Sequence, residues 1–266
     1  MNKASYYYSI KIKRNKPNKD AEILREIESI YKKNYKKYGS PRITIALQSK
    51  GYKISENRVA RIMHENHISA IPKRKKYCSY RGEVGTIVKN VLNRQFDQGE
   101  PYKAFGTDVT QFKIGEEKLY LSPIIDFHTR EIVAYDISTH PNMLQIKRMM
   151  YQLEDRYGEY LEGSIMHSDQ GWQYQQKWFQ DFLSEHGMIQ SMSRKGNCHD
   201  NSPTENFFGR LKEEVFYGQE WRYETIEELR TAIHRWIEYY NSERIVFKLR
   251  NSPLKYKLHL TVDNNV

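Results

Sequence analysis

The sequence predicts a two-part α/β protein: a small all-α unit, then a mixed β-sheet with helices on both faces. Three observations carry this reading. Apolar residues recur at helical spacing through residues 21–66. From Ala104 the texture changes to short aromatic and β-branched runs joined by tight turns, followed by alternating helix and strand patterns. The charge is also split, with 23 Lys and Arg against 9 Asp and Glu in residues 1–100, and 20 against 24 in residues 101–266. The net charge of +10 on 266 residues therefore sits at the front, and a basic front on a mildly acidic body suits a polyanionic partner.

Composition excludes several classes. A hydrophobic content of 38% supports a packed core rather than wholesale disorder. No apolar run is long enough for a membrane span, and the opening MNKASYYYSIKIKRNK has no apolar signal-peptide region. Cys78 and Cys198 lie too far apart for a disulfide framework or a zinc spacing, which fits a reducing, cytosolic compartment.

Residues 1–20 are polar and aperiodic and read as a flexible basic arm. Ile23, Leu24, Ile27, Ile30 and Tyr31 mark a helix that ends near Gly39. Ser40-Pro41 predicts a second helix start, Ser as N-cap and Pro at the first position, with Ile43, Ala46 and Leu47 buried and Gly51 as the stop. Ser55 can cap a third helix whose apolar face is Val59, Ile62 and Met63. Two short helices with a tight Gly-containing link form a helix-turn-helix pattern, here spanning 21–66. The last helix would present Asn57, Arg58, Arg61 and His64 outward as phosphate and base contacts; a three-helix bundle with an ordinary polar face has the same spacing. Residues 67–103 read as a basic linker, in which Lys73-Arg74-Lys75-Lys76 precede Tyr77 and Tyr80.

In the second part, Phe105–Ile114, Leu119–Phe127 and Glu131–Ile137 predict three strands, antiparallel because their turns are tight. Pro123 falls inside what should be a central strand and predicts a bulge or a local break. Residues 142–157 read as a helix, Ser164–His167 as a very short strand, 173–186 as a helix closed by Gly187, and Met188–Met192 as a last strand. A helix from about Pro203 to Tyr217 and another opened by a Thr225…Glu228 capping box complete the order.

Three carboxylates stand at special places: Asp108 in the first strand, Asp169 just past the short strand and Glu205 at a helix start. Brought together they could hold two Mg²⁺ ions roughly 3.5–4 Å apart, an arrangement suited to a phosphodiester. Each has a plain structural reading. Asp108 could pair with a Lys, Asp169 before Gly171 could be a turn residue, and Ser202-Pro203-Thr204-Glu205 is a capping box. Asp126 and Asp136 also lie in the sheet region, so position alone does not choose a triad.

Taken together, several segments resemble the integrase-like DDE transposases of bacterial insertion sequences, in particular the second-frame product called OrfB. They are Thr107-Asp108-Val109-Thr110, Asp126-Phe127-His128-Thr129-Arg130-Glu131-Ile132-Val133 and His167-Ser168-Asp169-Gln170-Gly171-Trp172-Gln173-Tyr174. Further matches are Ser191-Met192-Ser193-Arg194-Lys195-Gly196-Asn197-Cys198-His199-Asp200-Asn201, Glu205-Asn206-Phe207-Phe208-Gly209-Arg210-Leu211-Lys212 and Tyr240-Asn241-Ser242-Glu243-Arg244 with Asn251-Ser252-Pro253. Thirty-five residues separate Asp169 from Glu205, as in the family pattern, and the resemblance runs from about residue 20 to 260.

The resemblance implies an RNase H-like catalytic core over 104–260, including its C-terminal helices, with Asp108, Asp169 and Glu205 as catalytic and metal-binding residues. It implies two Mg²⁺ ions, with Mn²⁺ as an alternative, and DNA strand cleavage and strand transfer at insertion-sequence ends. Lys212, Arg194 and Lys195 would contact DNA, and Trp172 or Tyr174 would either stack on an unpaired base or pack beneath the loop. The implied partners are double-stranded DNA of element ends and target, other copies of the chain on DNA, and an upstream-frame product fused by frameshifting. The implied location is the bacterial cytoplasm, at the nucleoid. Two rival readings are a regulator that occupies element ends without cutting, which the intact triad disfavours, and a metal-dependent nuclease without strand transfer.

Overall fold

The computed structural model describes residues 19–71, 87–194 and 197–263. Most of the predicted arm, the run Lys73–Lys76 with Tyr77 and Tyr80, and Lys195 lie outside these described residues. The chain forms two compact units, Met1–Pro72 and Lys73–Val266.

The first unit contains α1 (Lys19–Lys33), α2 (Ser40–Ser49) and α3 (Glu56–Glu65). Ile23, Ile27 and Ile30 of α1 meet Ile43 and Leu47 of α2 and Val59, Ile62 and Met63 of α3 in a closed core, as their three-and-four spacing requires. Three details differ from the sequence expectation. The first helix stops at Lys33 rather than near Gly39, because Tyr35 and Lys36 adopt left-handed backbone. Gly39, not Ser40, is the N-cap of α2; Ser40 is already helical and its carbonyl accepts from the Thr44 hydroxyl at 2.8 Å. Ser55 does stand at the N-cap of α3, but its hydroxyl makes no capping bond.

The second unit is built on a six-stranded mixed sheet of β1 (Ala104–Thr107), β2 (Thr110–Ile114), β3 (Glu117–Asp126), β4 (Ile132–Ser138), β5 (Ile165–Ser168) and β6 (Ile189–Met192). The expected strand over 105–114 is two strands broken at Asp108-Val109. Both pair antiparallel with β3, and their registers resume at Thr107↔Ile124 and Thr110↔Leu121, which leaves Ser122-Pro123 opposite the break. Pro123 therefore sits where this ladder is interrupted, and a register shift follows at Ile124/Ile125 against β4. β1, β5 and β6 run parallel, so the segments that leave β1 and β5 emerge at one edge.

Alternation along β1 assigns its faces. Phe105 joins Ile146, Met149, Met150 and Leu153 of α4 (Met143–Tyr157) and Phe179, Phe182 and Leu183 of α5 (Lys177–Glu185) in one core. Gly106 faces α6 (Ser202–Leu211). Each fully buried large apolar side chain contributes about 1.5–3 kcal/mol relative to exposure. The expected helix over 173–186 begins instead as a 3₁₀ turn, Trp172–Gln175. The expected helix to Tyr217 ends as α-helix at Leu211 and passes into a π turn, Lys212–Phe216. That turn carries Glu214 into a buried pair with Arg244 at 2.6 Å, and the Trp236 indole donates to the same carboxylate at 3.0 Å. α7 (Ile226–Ser242) opens with Thr225 accepting from Glu228 N–H, as the capping box predicts, and α8 (Pro253–Asp263) follows.

The described end of the expected linker is fastened to the sheet unit. Val91 and Leu92 N–H groups donate to the Ser191 hydroxyl at 2.9 and 3.1 Å, and Leu92 is buried against Ala104 and Phe127.

Candidate active site

Asp108 occupies the break between β1 and β2, where its carboxylate accepts from the Val109 N–H at 2.7 Å. Asp169 follows the last residue of β5 and accepts from the Gly171 N–H at 2.8 Å. Because Gly106 is level with His167 in adjacent parallel strands, the two aspartates leave the same sheet edge side by side. Glu205 lies in the first turn of α6.

Two glycines permit this crowding. A Cβ on Gly106 would stand 2.3 Å from the Phe127 ring and 2.7 Å from the Thr204 hydroxyl, so only glycine lets the start of α6 settle on β1. A Cβ on Gly171 would meet the Asp169 carboxylate at 2.8 Å. The Asn201 amide then donates across to the Thr107 carbonyl at 3.2 Å, and its oxygen accepts from the Thr204 hydroxyl at 2.7 Å. The capping box expected at Ser202…Glu205 is not formed: Asn201 is the N-cap and no side chain caps the helix. The helix is held by its contact with β1, which frees Glu205 from a capping role.

The electrostatic load of the site falls mainly on Asp108. Lost hydration, then the negative charges of Asp169 and Glu205, push Asp108 well above the usual carboxylate range; the Val109 N–H and the Lys212 ammonium oppose them. Lost hydration raises Asp169 against the Gly171 N–H, and raises Glu205 against His199. Like charges converging in poorly hydrated surroundings are costly unless a cation joins them. Among the described residues, no group of three His, Cys, Asp or Glu forms a ready cage for one ion. The donor set is nevertheless all hard oxygen, as Mg²⁺ and Mn²⁺ prefer, with Glu205 the exposed member.

Lys212 is neither fully exposed nor paired on the surface. Its ammonium lies 5.3 Å from the Phe112 ring centre, burial lowers its pKa, and the Asp108 charge opposes that shift. The competing acids are committed elsewhere. Buried Asp126 accepts from Tyr102 N–H and from Thr129 N–H and hydroxyl, and Asp136 pairs with Arg148 at 2.9 Å. Tyr174 is fully buried with its hydroxyl 3.3 Å from that of Thr107, so it packs beneath the site and does not stack on a base. Trp172 lies in the neighbouring 3₁₀ turn, partly exposed.

The expected DNA contacts are distributed differently. Arg194 is gripped by buried Asp200 through its backbone N–H, Nε and Nη2 at 2.8–3.1 Å, and Arg94 binds the same carboxylate at 2.7 Å. Asp200 had only its place in a motif to signal this role. In the helical unit Asn57, Arg61 and His64 are exposed and Arg58 is half-buried. Both arginines are bound by Asp20, at 2.6 and 2.7 Å, and Arg61 also pairs with Glu65.

Comparison with known proteins places this site in a family. The integrase core domain family matches residues 98–198 and again 205–260, and the HTH-like domain family matches 17–76. InsK of insertion sequence element IS150 from Escherichia coli K12 is 43% identical over 96% of this chain and 89% of its own. A transposase-like protein of Haemophilus influenzae is 51% identical over 77% of this chain and 94% of its own. The transposase of insertion sequence element IS904 from Lactococcus lactis is 33% identical over 90% of this chain and 92% of its own. Among solved structures, the HTLV-2 integrase catalytic core domain in complex with magnesium aligns with a TM-score of 0.45 and 16% identity, over 59% of this chain and 96% of that one. Identity of this extent across both units means that the chain belongs to the integrase-core DDE transposases of bacterial insertion sequences.

Proposed function

We propose that Asp108, Asp169 and Glu205 bind two divalent cations, Mg²⁺ or Mn²⁺, and that the chain uses them to cut one DNA strand at an insertion-sequence end and join it to other DNA. The observation that carries this reading is the position of Asp108 in the strand break, where the charges of Asp169 and Glu205 both act on it. A carboxylate raised first by lost hydration and then by two like neighbours calls for a cation, and hard oxygen ligands select these metals. The bound ions would supply positive charge at the attacking and leaving oxygens of a phosphodiester.

The chain's own residues do the rest. Asp108 and Asp169, fixed by the Val109 and Gly171 N–H groups, hold one side of the site rigid. Glu205, exposed on α6, supplies the third carboxylate. Lys212, on the Asp108 side, takes a phosphate oxygen as counter-charge. The nucleophile is water in cutting and a DNA 3′-hydroxyl in joining; in each step one P–O bond forms as another breaks, and the displaced 3′-hydroxyl leaves. The helical unit binds the element end through α3, and Arg194 and Lys195 steady the DNA. Joining two ends to a target calls for further copies of the chain on DNA, and an upstream-frame fusion would extend the DNA-binding part. Among the described residues no helix is long and apolar enough to cross a membrane.

The test uses labelled element ends with Mg²⁺, comparing wild type with Asp169→Asn. Wild type should cut and join, with and without the upstream-frame fusion setting its efficiency. The variant should bind ends with wild-type affinity and lose both reactions by several orders of magnitude. Cutting without joining by wild type would leave a nuclease, and normal joining by the variant would remove Asp169 from the site.

A further inference from the structure

We infer that Asn201 is a positioning residue that sets the spacing between Glu205 and Asp108, a role distinct from capping α6 and one that rests on the metal-binding reading above. Asn at an N-cap normally turns its side-chain oxygen to an N–H of the first helical turn. Asn201 does not: no side chain caps α6. Its oxygen accepts from the Thr204 hydroxyl at 2.7 Å, and its amide donates to the Thr107 carbonyl at 3.2 Å. Asn201 is 4% exposed and Thr204 and Thr107 are fully buried, so water does not compete for these bonds.

The residues tied together are the immediate neighbours of the two carboxylates. Thr107 precedes Asp108, and Thr204 precedes Glu205. The tether therefore crosses between strand and helix directly beneath the site, and the missing Cβ of Gly106 gives Thr204 its place there. Asp108 and Asp169 each have a backbone N–H to orient them, whereas the position of Glu205 depends on where the start of α6 is held. The chemistry needs an amide: it must donate to a carbonyl and accept from a hydroxyl at once, which neither Ser nor Asp can do across this gap.

The test separates positioning from capping. Ser is as good an N-cap as Asn, so a capping role predicts that Asn201→Ser changes nothing. Positioning predicts that the full chain stays folded, melting a few degrees lower because two buried bonds are lost, and that it keeps its affinity for DNA ends. The Mn²⁺ concentration for half-saturation, read from the paramagnetic resonance of free Mn²⁺, should then rise by roughly 10–100-fold, the usual effect of losing a partner behind a metal ligand. The joining rate at fixed metal should fall with it. Thr204→Val, which keeps the side-chain shape and loses the hydroxyl, should shift Mn²⁺ binding in the same direction, and Thr204→Ser should restore it. Should Asn201→Ser unfold, the Thr204 pair carries the same comparison. Asp169→Asn is the control. If it loses Mn²⁺ while Asn201→Ser and Thr204→Val bind it as wild type does, the assignment to Asn201 is overturned and the metal reading stands. If Asp169→Asn binds Mn²⁺ normally, the metal reading falls and this inference with it.

Discussion

The helical unit and the sheet unit handle charge in opposite ways. In the helical unit Arg58 and Arg61, the arginines expected to face DNA, both meet Asp20, and Arg61 also meets Glu65. These pairs lie at the surface, partly or wholly exposed, and surface pairs are worth about 0–1 kcal/mol, so a phosphate can replace Asp20 at little cost. In the sheet unit Asp108 and Asp169 converge with like charge, while the neighbouring acids Asp126 and Asp136 are fully engaged by donors. Satisfied, solvent-facing pairs suit reversible binding. Poorly hydrated like charges suit the cation-binding role proposed for them.

The sharpest challenge to this contrast is Glu205→Gln. Glu205 makes no capping contribution, so the variant should melt with wild type, and it loses the charge that a metal requires. Strand transfer at saturating Mg²⁺ should fall by several orders of magnitude. A folded variant that joins at a normal rate would remove Glu205 from the site.

A second test concerns the buried imidazole beside the site. His167 is fully buried between the Ser191 and Ser193 hydroxyls, and burial pushes its pKa down to about 4 against the opposing charge of Asp200. The unfolded chain takes up this proton near pH 6.5, while the folded chain resists until about 4. The stability this provides is thus present above pH 6.5 and lost as pH falls towards 4, by at most about 3 kcal/mol. Denaturant unfolding across that window should show a shallower acid slope in His167→Gln than in wild type. Equal slopes would mean that His167 takes up its proton at the same pH in the folded and the unfolded chain.

Smaller effects belong to the helical unit. Arg58→Ala with Arg61→Ala should weaken binding to element ends about tenfold at low salt and make the salt slope shallower by roughly two, one lost counterion per lost contact. Asp20→Asn should act the other way, tightening binding a few-fold because Arg58 loses its ionic partner and Arg61 keeps only Glu65. If Asp20→Asn weakened binding instead, Asp20 would be orienting the arginines rather than competing with DNA for them.

What could be read from the sequence was what neighbours along the chain dictate. The spacing of Ile23, Ile27 and Ile30, the cap at Thr225 and the short strand before Asp169 are local events, and each lies where the pattern placed it. The family motifs likewise named Asp108, Asp169 and Glu205 without any geometry. Tertiary structure decided what depends on distant partners. The split at Asp108 comes from how two strands register against β3, and the π turn after Leu211 accompanies the burial of Glu214 against Arg244. Ser202…Glu205 has the local form of a capping box, yet docking on Gly106 shifts the cap to Asn201 and turns that side chain towards β1. Asp20 lies 38 residues from Arg58 in sequence and at hydrogen-bond distance in the fold. Periodicity records which face of an element is apolar; a hydrogen bond or ion pair between residues remote in sequence leaves no such trace, because it exists only once the elements have packed.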